Sequence, residues 1–317
     1  MRALNVPTSG AEPTISDLPV PSASPGTVLM KVKAAALNAI DNTLAAGVMA
    51  QMLPHEYPLV LGRDAAGVVE AVGDGVDHVS VGDEVLGHVL LAPPIKVGTL
   101  AEYAVLPADA VVAKPAGLDF VAAAALPLAG ATAVASVDAI DAQPGQTVLV
   151  VGASGGVGSY AVQLLAARGV TVIGTATTDD FERLIHLGVK TVIDYTAGDV
   201  ADQVLNAYPD GVDALIDLVA QSAAAMPIRV VRPGGKIAST LGAAGDEVVV
   251  NAGLTGTDVM GGPVRDIVGP LAQRAAAGEI AVDVRHVLPF EKAAEGLAIL
   301  ASGEARGKIV VTVGESA

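Results

Sequence analysis

The chain has 317 residues, of which 52% are hydrophobic and only 3% aromatic, and its formal net charge at pH 7 is −16. With 18 basic residues against 34 acidic ones, the composition argues against binding to nucleic acids or to anionic membrane surfaces. The absence of cysteine excludes disulfides, thiolate zinc sites, iron–sulfur clusters and cysteine nucleophiles. The length predicts two domains, and the Val, Leu, Ile and Ala content favours α/β layers.

The first third of the chain predicts a small, irregular β-rich domain. Short apolar runs alternate there with Gly and Pro, a pattern typical of strands joined by tight turns. The predicted strands are residues 28–34, 67–72 and 101–106, and residues 81–85 predict a tight Gly-Asp turn that leads into a further strand.

From about residue 119, apolar strands alternate with helical stretches. The uncharged stretch 120–137 predicts a buried helix–turn–helix rather than a membrane span. Because no signal-peptide core follows the N-terminus, we expect a cytoplasmic protein. The predicted strands are 147–151, 170–175, 191–195, 213–219 and 235–241, and the predicted helices are 157–168, 181–187, 199–208 and 222–231.

This βα alternation predicts a Rossmann domain, which is a doubly wound parallel sheet with right-handed crossovers. The last segment predicts a helix over 290–302 and a strand over 308–313, and we expect that strand to return to the first domain. The predicted boundaries are 1–118 with 282–317 for the β-rich domain and 119–281 for the Rossmann domain.

The most specific motif is the segment GASGGVG at residues 152–158, between a predicted strand and a predicted helix. Gly155 lets the backbone approach a pyrophosphate, Gly158 lets the helix pack on the sheet, and the helix N-terminus offers free N–H groups. The usual first glycine of the G-x-G-x-x-G fingerprint is Ala153 here. A plain glycine turn is the alternative to a dinucleotide site. The predicted cofactor-binding residues of this turn are Ser154, Gly155, Gly156, Val157 and Gly158.

The end of the second strand indicates which dinucleotide is bound. A site for NAD usually carries an acidic residue there, and this chain has Ala176 at that position. The small hydroxyl residues Thr177 and Thr178 leave room for a 2′-phosphate and can donate hydrogen bonds to it. The sequence therefore favours NADP(H) over NAD(H).

The acidic residues that follow have two interpretations. Asp179 could bind the ribose, but we favour a role as cap of the next helix, with Glu182 completing a capping box. The nearest basic residue is Arg183, so no cation lies immediately at the strand end.

Seven segments resemble, in order and spacing over essentially the whole chain, the medium-chain dehydrogenase/reductase superfamily, specifically its zinc-free quinone oxidoreductase (zeta-crystallin-like) branch. They are MRA at 1–3, KAAALNAID at 33–41, GRDAAGVV at 62–69, GTLAEY at 98–103, AALPLAGATA at 124–133, VRPGGK at 231–236 and ARGKIV at 305–310.

The resemblance implies a Rossmann domain joined to a discontinuous GroES-like catalytic domain, with the active site in the cleft between them. It also implies NADPH as hydride donor, quinones or α,β-unsaturated carbonyl compounds as acceptors, and a homodimer formed through the Rossmann domain. By the same matching, Thr132 is expected at the nicotinamide end and Tyr195 near the adenosine phosphate. The backbone at Val219 and Leu241 is expected to line the cofactor.

Zinc-dependent relatives place a cysteine near the position of Asn38 and Gly-His-Glu at residues 62–64, where this chain has Gly-Arg-Asp. The five histidines show no metal-ligand spacing, so no metal site is expected, and His88 is the histidine nearest the expected cleft. Without a Lewis acid, conjugated acceptors are favoured, because their developing charge is delocalised.

Two side chains are candidates for contact with the reacting groups. Asn38 is a candidate amide for cofactor or substrate, and the alternative is a structural amide that holds a loop. Relatives often carry a tyrosine where this chain has Thr43, which makes Thr43 a weak candidate and leaves the proton donor open. Alternative functions are an enoyl-thioester reductase and a non-catalytic NADP(H)-binding redox sensor.

Overall fold

The computed structural model describes residues 1–314, and its internal contacts divide the chain into two units. The first unit contains Met1–Leu128 and the chain from Pro263 onward, and the second contains Ala129–Gly262. Within residues 1–314, no helix is both long enough and apolar enough to cross a membrane.

The elements follow one another in three stretches of chain. The first stretch is mostly strands: β1 (Arg2–Val6), β2 (Thr14–Asp17), β3 (Thr27–Leu37), α1 (Ala39–Ala45), β4 (Leu59–Val60), β5 (Asp64–Val72), β6 (Glu84–His88), β7 (Tyr103–Pro107), β8 (Val111–Ala113), α2 (Phe120–Ala124) and α3 (Pro127–Ile140). The second stretch alternates: β9 (Thr147–Val151), α4 (Gly156–Ala167), β10 (Thr171–Ala176), α5 (Phe181–His186), β11 (Thr191–Asp194), α6 (Val200–Ala207), β12 (Val212–Asp217), β13 (Val231–Ser239), α7 (Glu247–Asn251) and β14 (Thr255–Asp258). The third stretch contains α8 (Arg265–Ala276), β15 (Val284–Pro289), α9 (Ala293–Ser302) and β16 (Lys308–Thr312).

The long strand β3 organises the main sheet of the first unit. It pairs antiparallel with β5, β7 and β16, and the sheet order is β15-β16-β3-β5-β6-β8 with β7 attached to β3. Met30 and Val32 are buried while Lys31 and Lys33 are exposed, as the alternating faces of a strand require. The pairing of β16 with β3 confirms that the C-terminal strand returns to the first unit.

The second unit contains one sheet of six parallel strands in the order β11-β10-β9-β12-β13-β14. The order reverses between β9 and β12, and ligands of such sheets bind outside the carboxyl ends of the strands at that point. The middle residues of both central strands are apolar and buried. The predicted doubly wound Rossmann sheet is therefore confirmed.

Two predicted elements differ from the structure. The predicted helix over 222–231 is wrong, because Pro227 cannot supply the N–H that a continuous helix needs there, and the segment forms the separate 3-10 turns Ala223–Ala225 and Ile228–Val230. The strand predicted over 235–241 begins earlier, as β13. The tight Gly-Asp turn predicted before the third strand is confirmed, because Gly82 has φ of +94° and β6 begins directly after it, at Glu84.

The division by contacts also differs from the predicted boundaries. Residues 119–128 and 263–281 group with the first unit, whereas the sequence assigns them to the Rossmann domain. In the second of these segments, α8 packs against β8 of the first unit.

Candidate active site

The turn between β9 and α4 has the geometry of an anion-binding loop. After Val151, Gly152 adopts φ of +83°, a conformation that side chains disfavour. Its N–H donates to Thr175 Oγ1 at 2.9 Å, which ties the turn to β10. Gly155 is the N-cap of α4, and its N–H donates to the Gly152 carbonyl at 3.1 Å. The first N–H groups of α4 lack helical partners and can bind phosphate oxygens.

Close packing explains the glycine pattern of this turn. A Cβ atom on Gly158 would lie 2.2 Å from the Gly152 carbonyl oxygen and 2.7 Å from Ala153 Cα, so only glycine fits. Ala153, which replaces the first glycine of the fingerprint, is fully buried. It faces Gly174 of β10, where a Cβ atom would lie 2.8 Å from the Ala153 Cβ. The alanine at position 153, where the fingerprint has glycine, is thus accommodated because the neighbouring strand has a glycine, Gly174, opposite it.

The end of β10 carries no acidic side chain. The strand ends at the buried residue Ala176. Ala176 stands at the position where NAD sites usually carry an acidic residue. The Oγ1 atom of Thr177 is buried and has no hydrogen-bond partner among residues 1–314. Thr178 is exposed. These two hydroxyl groups lie beside the turn because β9 and β10 are adjacent strands.

The capping interpretation of Asp179 is wrong. Asp179 lies inside the 3-10 turn Thr178–Asp180, and the N-cap of α5 is Asp180, whose side chain makes no capping hydrogen bond. Asp180 instead forms an ion pair with Arg183, with 3.0 Å between Oδ1 and Nη2. Arg183 Nη2 also donates to the Ser154 carbonyl at 3.1 Å, so this cation contacts the glycine-rich turn.

Three other predicted cofactor residues lie at the same edge of the sheet. Tyr195, Val219 and Leu241 each follow a strand of the parallel sheet, and about half of each side chain is exposed. The register pairs Ala176 with Asp194, and Asp217 with both Val151 and Ser239, so the carboxyl ends of five strands are level. Their contact with a cofactor stays a prediction.

Thr132 lies within α3 and is nearly buried. Its carbonyl accepts a hydrogen bond from Ser136 Oγ at 2.8 Å, which is ordinary helix geometry. The expected contact with the nicotinamide end stays a prediction.

Asp217, at the end of β12, is a polar residue of this edge whose carboxylate the sequence did not single out. Its Oδ1 accepts the backbone N–H groups of Val219 at 2.9 Å and Ala220 at 2.7 Å, which shapes the loop after the strand. Its Oδ2 is buried without a hydrogen-bond partner in the described chain. Burial raises the pKa of this carboxyl, and the two N–H groups partly oppose that rise.

The first unit contains a buried polar cluster where β3, α1, β5, β6 and β16 meet. Its members, all buried, are Asn38, Asp41, Arg63, Asp64, His88 and Lys308. Asn38 Nδ2 donates to Asp64 Oδ2 at 2.9 Å, and Asn38 Oδ1 accepts from Lys308 Nζ at 2.6 Å. Both ends of the amide are therefore bound inside the unit, which favours the structural alternative for Asn38.

Asp64 is the acceptor at the centre of this buried polar cluster. Its Oδ1 lies 2.7 Å from His88 Nδ1, and the N–H of Leu128 lies 3.1 and 3.2 Å from its two carboxylate oxygens. Lys308 Nζ also donates to the carbonyl of Leu37 at 3.0 Å. Burial lowers the pKa of Lys308, while the charges of Asp64 and Asp41 oppose the change. Two carboxylates and two cations balance the charge of the cluster.

Asp41 and Arg63 form the second half of this cluster. Asp41 Oδ2 accepts the backbone N–H of Asn38 at 2.8 Å, so Asp41 ties the loop backbone. Its Oδ1 lies 4.0 Å from Arg63 Nε, which is an ion pair but not a hydrogen bond. Burial raises the pKa of Asp41 to about 6 despite the charge of Arg63. Arg63 also donates to the carbonyls of Val60 and Val97, which gives it a structural role.

Thr43 lies on α1, and its Oγ1 donates to the Ala39 carbonyl at 3.3 Å within the same helix. This contact is local, and nothing else in the described chain singles Thr43 out as a proton donor. Its catalytic assignment stays a prediction.

The clusters differ in how visible they are in the sequence. The glycine-rich turn is one contiguous motif. The contact between Lys308 and Asn38 joins residues 270 positions apart, and only the fold brings them together. Arg183 could have been found from its helical position three residues after Asp180, a spacing that allows an ion pair.

The chain is similar to two protein families and to several characterised proteins. A family model described as "Alcohol dehydrogenase GroES-like domain" matches residues 24–116, and one described as "Zinc-binding dehydrogenase" matches 187–311. The chain is 33% identical over 301 residues to the chloroplastic "NADPH-dependent alkenal/one oxidoreductase" of Arabidopsis thaliana, covering 93% of this chain and 74% of that protein. Fold and turn together are typical of dinucleotide-binding proteins, and the relatives found are oxidoreductases. The chain belongs to the medium-chain dehydrogenase/reductase superfamily, in the group of quinone and alkenal oxidoreductases.

Solved structures agree with this membership. The quinone oxidoreductase from Coxiella burnetii is 28% identical with a TM-score of 0.89, over 99% of both chains. A structure described as an NAD-dependent alcohol dehydrogenase is 33% identical with a TM-score of 0.87, over 99% of this chain and 100% of that chain. One of these relatives is named as NADPH-dependent and another as NAD-dependent. The names alone therefore do not decide between NADPH and NADH for this chain.

The zinc ion in the name of the second family model does not fit the residues present. Zinc binds thiolate, imidazole and carboxylate ligands, whereas residue 63 is a guanidinium and Asn38 is bound by the ammonium of Lys308. Asp64 and His88 are hydrogen-bonded to each other. Within residues 1–314, no group of three or more His, Asp or Glu side chains is placed to hold a metal ion.

Proposed function

We propose that this chain is an NADPH-dependent reductase that delivers hydride to α,β-unsaturated carbonyl compounds or quinones without a metal ion. The observation that carries the proposal is the glycine-rich turn, which meets a strand end that has no acidic side chain. The names of its relatives, an NADPH-dependent alkenal/one oxidoreductase and a quinone oxidoreductase, support the acceptor class.

The second unit provides the groups that would hold NADP(H). The N–H groups at the start of α4 would bind the pyrophosphate, and Thr177 and Thr178 would face the adenosine ribose. The loops after β12 and β13, with Val219 and Leu241, would line the rest of the dinucleotide. A bound reduced nicotinamide supplies the hydride, and the protein contributes binding and orientation.

The buried polar cluster supports a conjugated acceptor. Reduction of an isolated ketone develops negative charge on one oxygen. A metal ion can stabilise that charge by acting as a Lewis acid. Here the cations Arg63 and Lys308 are already committed to carbonyls, carboxylates and an amide. A conjugated acceptor spreads the developing charge, so a modest hydrogen-bond donor or water suffices.

We also propose that the protein forms a homodimer through its second unit. β14 is the last strand of the parallel sheet and pairs on one side only, with β13. Exposed apolar side chains lie close to it in sequence at Val250 and Met260. A strand edge beside apolar residues is a common site of self-association. A single monomeric species by light scattering at micromolar concentration would contradict this.

The proposed activity is tested by following NADPH oxidation with a simple enone and with a 1,4-quinone, in excess EDTA, with NADH in parallel. The proposal predicts turnover that EDTA leaves unchanged and that NADPH supports better than NADH. Loss of activity on chelation would contradict metal-free catalysis. Turnover of an enoyl thioester alone would favour the thioester reductase, and tight NADPH binding without any turnover would favour the redox sensor.

A further inference from the structure

Arg183 bridges the two loops that flank the predicted adenosine site. Its Nη2 donates to the Ser154 carbonyl in the glycine-rich turn at 3.1 Å. Its Nε and Nη2 lie 3.1 and 3.0 Å from Asp180 Oδ1, in the loop after β10. The Asp180 side chain is 3% exposed, while the guanidinium side chain of Arg183 retains 15%. The cation is therefore held in one orientation and still reaches the surface.

The position of this cation matters because of what the neighbouring strand end lacks. Sites for NAD place an acid at the end of the second strand, and sites for NADP place a cation near it. This chain has Ala176 at that end, followed by Thr177, whose buried Oγ1 has no hydrogen-bond partner among residues 1–314. A buried hydroxyl without a partner is costly unless a ligand completes it.

We propose that Arg183 determines specificity for a phosphate on the adenosine ribose, so that its fixed charge favours NADP(H) over NAD(H). This inference rests on the proposed function only in assuming that the second unit binds a nicotinamide dinucleotide. A guanidinium that is already oriented loses little entropy when an anion arrives. Asp180 holds Arg183 in place and also offsets part of its charge.

A purely structural tie makes a different prediction. If Arg183 only joined Ser154 to Asp180, its loss would loosen the turn for both cofactors equally, because they share the pyrophosphate. If its charge acts on the 2′-phosphate, its loss weakens NADPH and leaves NADH nearly unchanged. The ratio of the two dissociation constants therefore separates the two roles.

The test is a fluorescence titration of NADPH and of NADH with the wild-type protein and with Arg183→Gln, which keeps an amide donor but removes the charge. We expect the Kd of NADPH to rise about tenfold or more and that of NADH by less than about twofold, since charged hydrogen bonds to phosphate are the strong ones. Competition by 2′,5′-ADP should weaken in parallel, whereas competition by 5′-AMP should not. Arg168→Gln, at an exposed arginine paired with Asp138, is the matched control and should leave both constants unchanged.

Two further variants keep the proposal open to contradiction if Arg183→Gln folds poorly. Arg183→Lys retains the charge and should retain most of the NADPH preference. Asp180→Asn removes the offsetting carboxylate and should raise that preference about threefold. Equal weakening of both cofactors, or no change in the ratio in any variant, would overturn the proposal. A wild-type protein that fails to reduce enones and quinones while the ratio shifts as expected would contradict the proposed function alone. Binding of neither cofactor would contradict both.

Discussion

The glycine-rich turn and the buried polar cluster differ in which groups they use and in whether those groups are already bound. The turn presents backbone N–H groups and excludes side chains, since a single Cβ atom at Gly158 would lie 2.2 Å from a carbonyl oxygen. The cluster excludes water and satisfies charged side chains with one another, as in the contacts of Asp64 with Asn38 and His88. One site is open for a ligand, and the other is closed upon itself.

The turn and the cluster should therefore respond differently to substitution. The turn acts through space and backbone geometry, so changes there should affect cofactor binding. The cluster acts through buried charge, so changes there should affect stability and its pH dependence. A turn substitution that left cofactor affinity unchanged, or a cluster substitution that left stability unchanged, would contradict this difference.

The largest effect is expected for Lys308→Met in the buried polar cluster. Removing the ammonium leaves the carbonyls of Asn38 and Leu37 without their donor and leaves two carboxylates with one cation fewer. The free energy of unfolding should fall by about 3–5 kcal/mol, the usual effect of removing one partner from a buried ionic network. Urea denaturation measures this. The exposed Lys236→Met variant, which breaks a 3.5 Å surface pair with Asp141, should change it by less than about 1 kcal/mol.

Gly158→Ala should have the next largest effect and should act on binding. The added methyl group must displace backbone atoms of Gly152 and Ala153, so the turn can no longer hold its geometry. NADPH affinity should fall by about 100-fold, with a loss of stability of about 1–3 kcal/mol. Titration and thermal unfolding measure the two. Gly262→Ala, with nothing within 4 Å of the added atom, is the control, and unchanged affinity in Gly158→Ala would contradict the role of the turn.

Asp41→Asn should change how stability depends on pH. The pKa of Asp41 is about 6 in the fold against 3.8 for the free group, so the fold prefers the protonated carboxyl. Native stability is therefore lost as pH rises from about 4 through 6, and the asparagine variant escapes this loss. Relative to the wild type, the variant should gain about 2–3 kcal/mol between pH 4 and pH 8. Urea unfolding at both pH values measures it, and a difference between variant and wild type that is the same at both pH values would contradict the assignment.

The smallest effect is expected where the turn packs on β10. Gly174→Ala places a Cβ atom 2.8 Å from that of Ala153, and should lower the free energy of unfolding by about 1–2 kcal/mol. The double variant Gly174→Ala with Ala153→Gly moves the small residue to the other strand and should recover much of that loss. A double-mutant cycle measures the coupling. Additive losses would show that the two positions are independent.

The same contrast explains what the sequence could predict. The Rossmann sheet and the turn at 152–158 are local patterns, and both are confirmed in the fold. The helix predicted at 222–231 failed because Pro227 interrupts an otherwise helical pattern. The role of Asn38 depends on its contact with Lys308, and the role of Arg183 depends on its contact with the Ser154 carbonyl. In each pair the two residues are distant in sequence. Such side-chain contacts follow from tertiary packing and leave no periodic signal.

The most direct test of the proposed reaction is the fate of deuterium from NADPH that carries deuterium at both hydrogen positions of C4 of the nicotinamide ring. The wild-type protein would be given an enone in excess EDTA, and the product examined by NMR. Direct hydride transfer to the conjugated carbon–carbon double bond predicts deuterium at the β-carbon of a saturated ketone. Deuterium on the carbinol carbon of an allylic alcohol, or none in the product, would contradict it.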